Sequence, residues 1–156
     1  MVQINDVVRE VLALVQDDLR VEAATATAEY QENLPQVYAS HAQIQQVIWN
    51  LVSNAVEAMR SVAPDKRRLQ LMTGFDGNSG VSVYIQDAGP GIGSENQDRI
   101  FEPFFTTKPS GTVLGLPICR SIVEDHGDEL RLSKTNPGGT SFELVLPVDS
   151  PASTHT

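Results

Sequence analysis

The chain has 156 residues, 40% of them hydrophobic, enough for one compact domain that buries a core without disulfide or metal staples. Its formal charge of −9 opposes nonspecific binding to nucleic acid, whose phosphates meet a repulsive average field, so a nucleotide would need a local site. The single cysteine, Cys119, excludes an internal disulfide, no apolar run approaches the roughly 20 residues that span a bilayer, and MVQINDVVRE lacks the pattern of a signal peptide; a cytoplasmic chain without membrane contact is expected.

Asn5 and Asp6 stand where they can cap a helix whose apolar positions Val7, Val8, Val11, Leu12, Val15 and Leu19 recur at helical spacing. VEAATATAEY alternates small, polar and β-prone residues and predicts a strand, and LPQVYAS predicts a turn and a second strand. From His41 to Met59, the residues Ile44, Val47, Ile48, Leu51, Val52, Ala55 and Met59 make one apolar stripe, capped by Ser40, and give the clearest helix. RRLQLMTGF and GVSVYIQD predict a hairpin that turns between Asp76 and Gly80.

Ala88 to Val113 shows no sustained period and reads as a long loop with one short helix at Glu95 to Ile100; loops of such length in compact domains are usually functional or disordered. Leu114 to His126 is helical with Gly127 as its stop, and DELRLSKT and GTSFELVLP form a last strand pair around Asn136 to Gly139. Residues 1–148 therefore read as one domain and residues 149–156 as a disordered polar tail. Three main helices and about six strands, paired largely as hairpins, predict an α+β fold: a two-layer α/β sandwich with the helices on one face of a mixed sheet and a more polar opposite face.

Several residues can carry chemistry. Asn50 and Asn54 are four apart and share one helix face beside the apolar stripe, where two amide carbonyls can hold a hard cation such as magnesium; a pair that is merely solvated or hydrogen-bonded at a helix–loop contact is the plainer alternative. In YIQDAGPGIG, Asp87 closes a strand before Gly89, Gly91 and Gly93, so a carboxylate able to accept from an exocyclic amine precedes a chain that can fold closely against a flat ring. A dinucleotide fingerprint does not fit, because the glycines lead into NQDRIFEPFFTTKPSG rather than a long helix, whereas a purely structural turn would. Phe101, Phe104 and Phe105 can pack a lid onto the domain, and Lys108 can reach a polyphosphate or simply be solvated. Gly111 and Gly115 flank Val113 in SGTVLGLPI at the start of a helix, a loop that can bring backbone N–H groups to a phosphate.

In order, NLVSNA, DAGPGI, FEPFFTTK and SGTVLGLPI resemble the N, G1, F and G2 boxes of the ATP-binding catalytic domain of bacterial sensor histidine kinases. That domain belongs to the superfamily of gyrase, the ninety-kilodalton heat-shock ATPase and the mismatch-repair ATPases. The resemblance runs from about Ile4 to Pro147, and IQQVIWNLVSNAVEAM is similar to the nitrogen-regulation and oxygen-sensing branch. It implies the Bergerat ATP-binding fold, with ATP and Mg2+ as cofactors. It further implies that Asn54 and Asn50 form the magnesium-binding face and that Asp87 accepts from the adenine amino group. Gly89 and Gly91 would shape the floor under the ring, Thr140 in GGTSF would support the adenine end, and Ile92 and Phe104 would complete the nucleotide site. Lys108 and the backbone at Gly111, Gly115 and Leu116 would face the phosphates, with Asn50 and Lys108 in the catalytic positions.

Hydrolysing relatives usually carry a glutamate where Asn50 stands, and an amide cannot act as that general base. The resemblance thus implies phosphoryl transfer to a histidine, followed indirectly by a response regulator, rather than hydrolysis. The family's phosphoacceptor histidine, followed by an acid in a helical hairpin, has no match at His41, His126 or His155. The acceptor is expected on a separate dimerisation and histidine-phosphotransfer domain, in a longer parent or in trans. GTVLGL replaces the family's GTGLGL and His126-Gly127-Asp128 replaces HGG, departures that motivate the alternative of a degenerate nucleotide-binding or docking module. Forced to positive φ, Val113 would cost about 1–2 kcal/mol, and at negative φ nothing. Pro117 suits a first helical turn.

Overall fold

The computed structural model describes residues 2–76, 80–89, 115–125, 129–136 and 138–148. The elements in chain order are α1 (Ile4–Leu14), α2 (Gln16–Val21), β1 (Thr25–Glu29), α3 (His41–Ala58), β2 (Arg68–Asp76), β3 (Gly80–Asp87), α4 (Gly115–Asp125), β4 (Glu129–Asn136) and β5 (Gly139–Leu146). Two short 3-10 turns, Met59–Ser61 and Pro64–Lys66, lie between α3 and β2. One five-stranded mixed sheet has the order β1-β2-β3-β5-β4, in which only β1 and β2 run parallel. The expected α+β sandwich is the observed one.

α3 forms as its apolar stripe predicts. Ser40 caps it by accepting from the Gln43 N–H, and Ile44, Val47, Ile48, Leu51, Val52, Ala55 and Val56 are buried. The strands supply the other half of the core through alternation: Leu69 and Leu71 of β2, Val81, Val83 and Ile85 of β3, and Leu144 and Leu146 of β5 are all buried against the helices. The opposite face is polar. Across three neighbouring strands, Tyr84 pairs with Glu143 and Glu143 with Arg131 in register, and Arg131 Nε donates to Glu143 Oε1 at 2.8 Å.

Three sequence expectations need correction. The first helix is not continuous through Leu19: it ends at Val15, whose φ of −96° and ψ of 4° leave the helical well, and α2 restarts at Gln16. The break keeps both Val15 and Leu19 in the core while Leu14 is left exposed. The cap is Gln3, whose side chain accepts from the Asn5 N–H; Asn5 instead sits inside α1 and ties it to the sheet, donating to the Gln31 carbonyl and accepting from the Thr73 hydroxyl. LPQVYAS makes no strand, only an isolated antiparallel bridge between Val37 and Val2, because Pro35 brings no N–H to extend a ladder. The short helix expected at Glu95 to Ile100 and the tail at 149–156 lie outside the described residues. Among the described residues no helix is long and apolar enough to cross a membrane.

Candidate functional site

The site begins where the core-facing rows of two strands turn polar. In β3 the row Val81, Val83, Ile85 ends on Asp87; in β5 the row Leu146, Leu144, Phe142 ends on Thr140. Asp87 and Thr140 are direct antiparallel partners, and both are buried, with 6% and 5% of their surface exposed. A carboxylate at a position that alternation assigns to the core is costly unless its oxygens are satisfied. Asp87 Oδ1 accepts from the Gly89 N–H at 2.8 Å, which folds the chain after β3 into a tight turn beneath the carboxylate.

Two glycines permit this packing. A Cβ on Gly89 would lie 3.0 Å from both Asp87 Oδ1 and the Ala58 carbonyl oxygen, so the turn presses against the C-terminal end of α3. Gly139 has a φ of +153°, and a Cβ there would meet the Asp87 carbonyl oxygen at 2.1 Å. Strand β5 therefore enters the site past a position that only glycine fills without strain.

α3 links this polar corner to the amide pair. Asn50, Asn54 and Ala58 succeed one another at four-residue intervals on one helix face, so Asn54 stands one turn from the carbonyl that abuts Gly89. Asn50 and Asn54 are half-buried and, with Ser53, Glu57, Asp18 and Val21, line a cavity of about 440 Å3 between α3 and α2. Asp87 does not line that cavity. Near the middle of α3, Cys119 of α4 donates its Sγ–H to the Val47 carbonyl at 3.9 Å, and burial pushes its thiol up to about 11, an effect the neighbouring Asn50 side chain moderates. Gly115, the first residue of α4, is one turn before Cys119, so the N-terminus of α4 stands about 6 Å along the axis from this contact. The backbone of α4 also places Leu116 and Pro117 in its first turn, as expected.

Among the described residues no group of three or more His, Cys, Asp or Glu side chains could cage a metal. The donors present suit a different mode. Magnesium is commonly held by one or two protein oxygens together with phosphate oxygens and water, and the two carboxamides of α3 can supply the protein share. Gly91, Ile92, Phe104, Lys108, Gly111 and Val113 lie outside the described residues. Sequence reasoning did not find the Ala58 carbonyl, Gly139 or Cys119; only the spacing of Cys119 four residues after Gly115 hinted that it shares the face of the helix start.

The histidine kinase-, DNA gyrase B- and HSP90-like ATPase family matches residues 39–150. The chain belongs to this ATPase family. The sensor protein TdiS of Thauera aromatica is 40% identical over 147 residues, which are 93% of this chain and 27% of TdiS, so the chain spans about a quarter of that relative. The catalytic domain of the histidine kinase ThkA superposes with a TM-score of 0.80 at 34% identity, covering 92% of this chain and 91% of that domain. ThkA in complex with the response regulator protein TrrA matches with a TM-score of 0.76 at 32% identity, over 93% of this chain and 40% of that one. Within the ATPase family, the chain is thus a protein-histidine kinase catalytic domain.

Proposed function

We propose that residues 1–148 bind ATP together with Mg2+ and donate the γ-phosphoryl group to a histidine on a separate dimerisation and phosphoacceptor domain, in a longer parent protein or in trans. The observation that carries this reading is the buried Asp87 carboxylate, paired with Thr140 and closed underneath by the Gly89 turn. Asp87 accepts from the adenine amino group, Thr140 supports the same end, and Gly89 and Gly91 let the chain pass close to the ring, with Ile92 and Phe104 beside it. Asn54 is the direct metal ligand and Asn50 its neighbour. Lys108, Gly111 and the start of α4 at Gly115 and Leu116 face the phosphates, where helix N–H groups and an ammonium favour negative charge.

Mg2+, when bound with the nucleotide, supplies charge neutralisation at the phosphates. The chain's own residues contribute position: they hold the base beside the C-terminal end of α3 and the metal-bound phosphates along its preceding turns, at Asn54 and Asn50. Asn50 cannot remove a proton from water, which favours an acceptor that brings its own nucleophile over hydrolysis. The TrrA complex of ThkA supports a response regulator as the downstream partner. ATP as donor implies action in the cytoplasm, and the charge of −9 supports a domain without nucleic-acid contact.

Incubating the chain with γ-labelled ATP, Mg2+ and a histidine-bearing helical-hairpin domain taken from a TdiS-like sensor tests the proposal. Acid-labile label on the added domain is expected. Absence of label at saturating nucleotide, across several such domains, would contradict it.

A further inference from the structure

The two edges of the sheet are built differently. β4, at one edge, carries Glu129, Arg131 and Lys134 and has a register irregularity between Leu132 and Lys134, features that discourage a further strand. β1, at the other edge, reads TATAE in unbroken register with β2, without proline, basic residue or bulge. The Thr25 N–H donates to the Arg67 carbonyl at 3.0 Å, so alternation turns the N–H and C=O groups of Thr25, Thr27 and Glu29 toward β2 and those of Ala26 and Ala28 outward. The Ala24 N–H, also outward, is closed off by the Leu19 carbonyl at 2.8 Å, whereas among the described residues the outward groups of Ala26 and Ala28 have no hydrogen-bond partner. On the polar face, Glu29 and Arg68, the latter in register with Thr25, have no ion-pair partner among the described residues.

We propose that β1 pairs antiparallel with β1 of a second copy of the chain, joining the two sheets across a two-fold axis at Thr27. A second copy is the occupant because this edge complements itself. With the axis at Thr27, Ala26 lies opposite Ala28 of the second copy and each exchanges both backbone bonds with the other, so the outward N–H and C=O groups of Ala26 and Ala28 are all paired. Thr27 meets its own counterpart in a close, non-hydrogen-bonded pair, an arrangement that suits two threonines. Glu29 lies opposite Thr25 of the second copy and so is kept from its own counterpart. Beyond that threonine, about 10 Å from Glu29 across two strand spacings, stands Arg68 of the second copy. Both are long side chains on one face with a short one between them, so the charges left unpaired in one chain become partners across the junction. Centring the axis on Ala26 instead would set Ala28 against Ala24, whose N–H is already bound. The junction is small and belongs to the weak class of interfaces, so pairing needs about 0.1–1 mM protein, or two chains tethered at a like effective concentration. β1 is two strands from β3, and the junction leaves Asp87 uncovered.

Sedimentation equilibrium of the full chain from about 0.05 to about 1 mM tests the junction, after thermal melts confirm that each variant folds. The parent is expected to pass from monomer toward dimer over that range. Thr27→Glu sets like charges opposite each other at the axis and should weaken association about five-fold or more. An equimolar mixture of Thr27→Glu with Thr27→Lys should recover it, because the two side chains at the axis are then oppositely charged. Ala28→Pro removes an outward N–H while sparing the ladder with β2, and should weaken association by about the same factor. A parent that stays monomeric at about 1 mM, a Thr27→Glu variant that associates like the parent, or a mixture that associates no better than Thr27→Glu alone overturns the inference. A parent dimer that Ala28→Pro leaves intact is held by another surface and overturns it as well.

Discussion

Replacing Gly139 with alanine tests how closely β5 approaches the site. The added Cβ would stand 2.1 Å from the Asp87 carbonyl oxygen, a separation that non-bonded atoms do not adopt, at a φ of +153°. The backbone conformation alone costs about 1–2 kcal/mol, and relieving the contact means moving β5 from β3 by about 1 Å and weakening at least one ladder hydrogen bond worth about 1 kcal/mol. The sum, about 2–4 kcal/mol, is a large part of the about 5–15 kcal/mol that stabilises a typical domain. At about 2–4 °C per kcal/mol for a domain of this size, the melting temperature should fall by about 5–15 °C. Because the shift is centred on Asp87, nucleotide affinity measured by calorimetry below the melt should fall at least about ten-fold as well. Gly74→Ala is the control: its Cβ meets only Gln31 Oε1, at 3.7 Å, and stability should stay within about 1 kcal/mol. A Gly139→Ala domain that melts within about 2 °C of the parent and binds nucleotide equally well would refute the close approach.

Gly89→Ala should act on binding more than on folding, because its Cβ crowds the Asp87 carboxylate and the Ala58 carbonyl at 3.0 Å without a positive φ; a loss of affinity of about ten-fold with a melting shift under about 4 °C is expected, and the reverse pattern would contradict this. Arg67 donates to the carbonyls of Val62, Glu22 and Arg60, at 2.9, 2.6 and 3.0 Å, and so fastens the ends of α2 and α3 to the start of β2. Arg67→Ala should cost about 2–3 kcal/mol in urea unfolding, and Arg67→Lys should recover only part because an ammonium cannot span three acceptors. Glu143 is raised by burial but lowered more by the hydrogen bonds from Arg131 and Tyr84, so its carboxyl lies below its ordinary value of 4.5. A lowered folded-state pKa stabilises above the unfolded value and ceases to do so as pH falls through the folded one. The stability gap between the parent and Glu143→Gln should therefore be full at neutral pH and close as pH drops below 4.5; a gap constant from pH 7 to 3 would exclude the linkage.

What could be read from the sequence was local. α3 was legible because a stripe of apolar residues and a serine cap agree over eighteen residues, and the two hairpin pairs because alternation and turn residues coincide. The break at Val15 was hidden, since the apolar spacing continues through it and only the contact of Leu19 with the core requires the chain to bend. The pairing of β3 with β5, and the bridge of Val37 to Val2, join segments far apart in sequence, and no local pattern encodes such partners. Among site residues, Asp87 announced itself by closing a strand just before Gly89, Gly91 and Gly93, and Asn50 and Asn54 by their spacing. The Ala58 carbonyl was invisible because every residue has one, and Cys119 because a buried cysteine on a helix looks like packing.

The most direct test is a titration of the chain with a non-hydrolysable ATP analogue, with and without Mg2+, comparing the parent with Asp87→Asn. The amide places an N–H where the adenine amino group needs an acceptor, so saturable Mg2+-dependent binding by the parent and a loss of at least about a hundred-fold in the variant are predicted. Equal affinity of the two proteins, or no binding by the parent at millimolar analogue, would contradict the account.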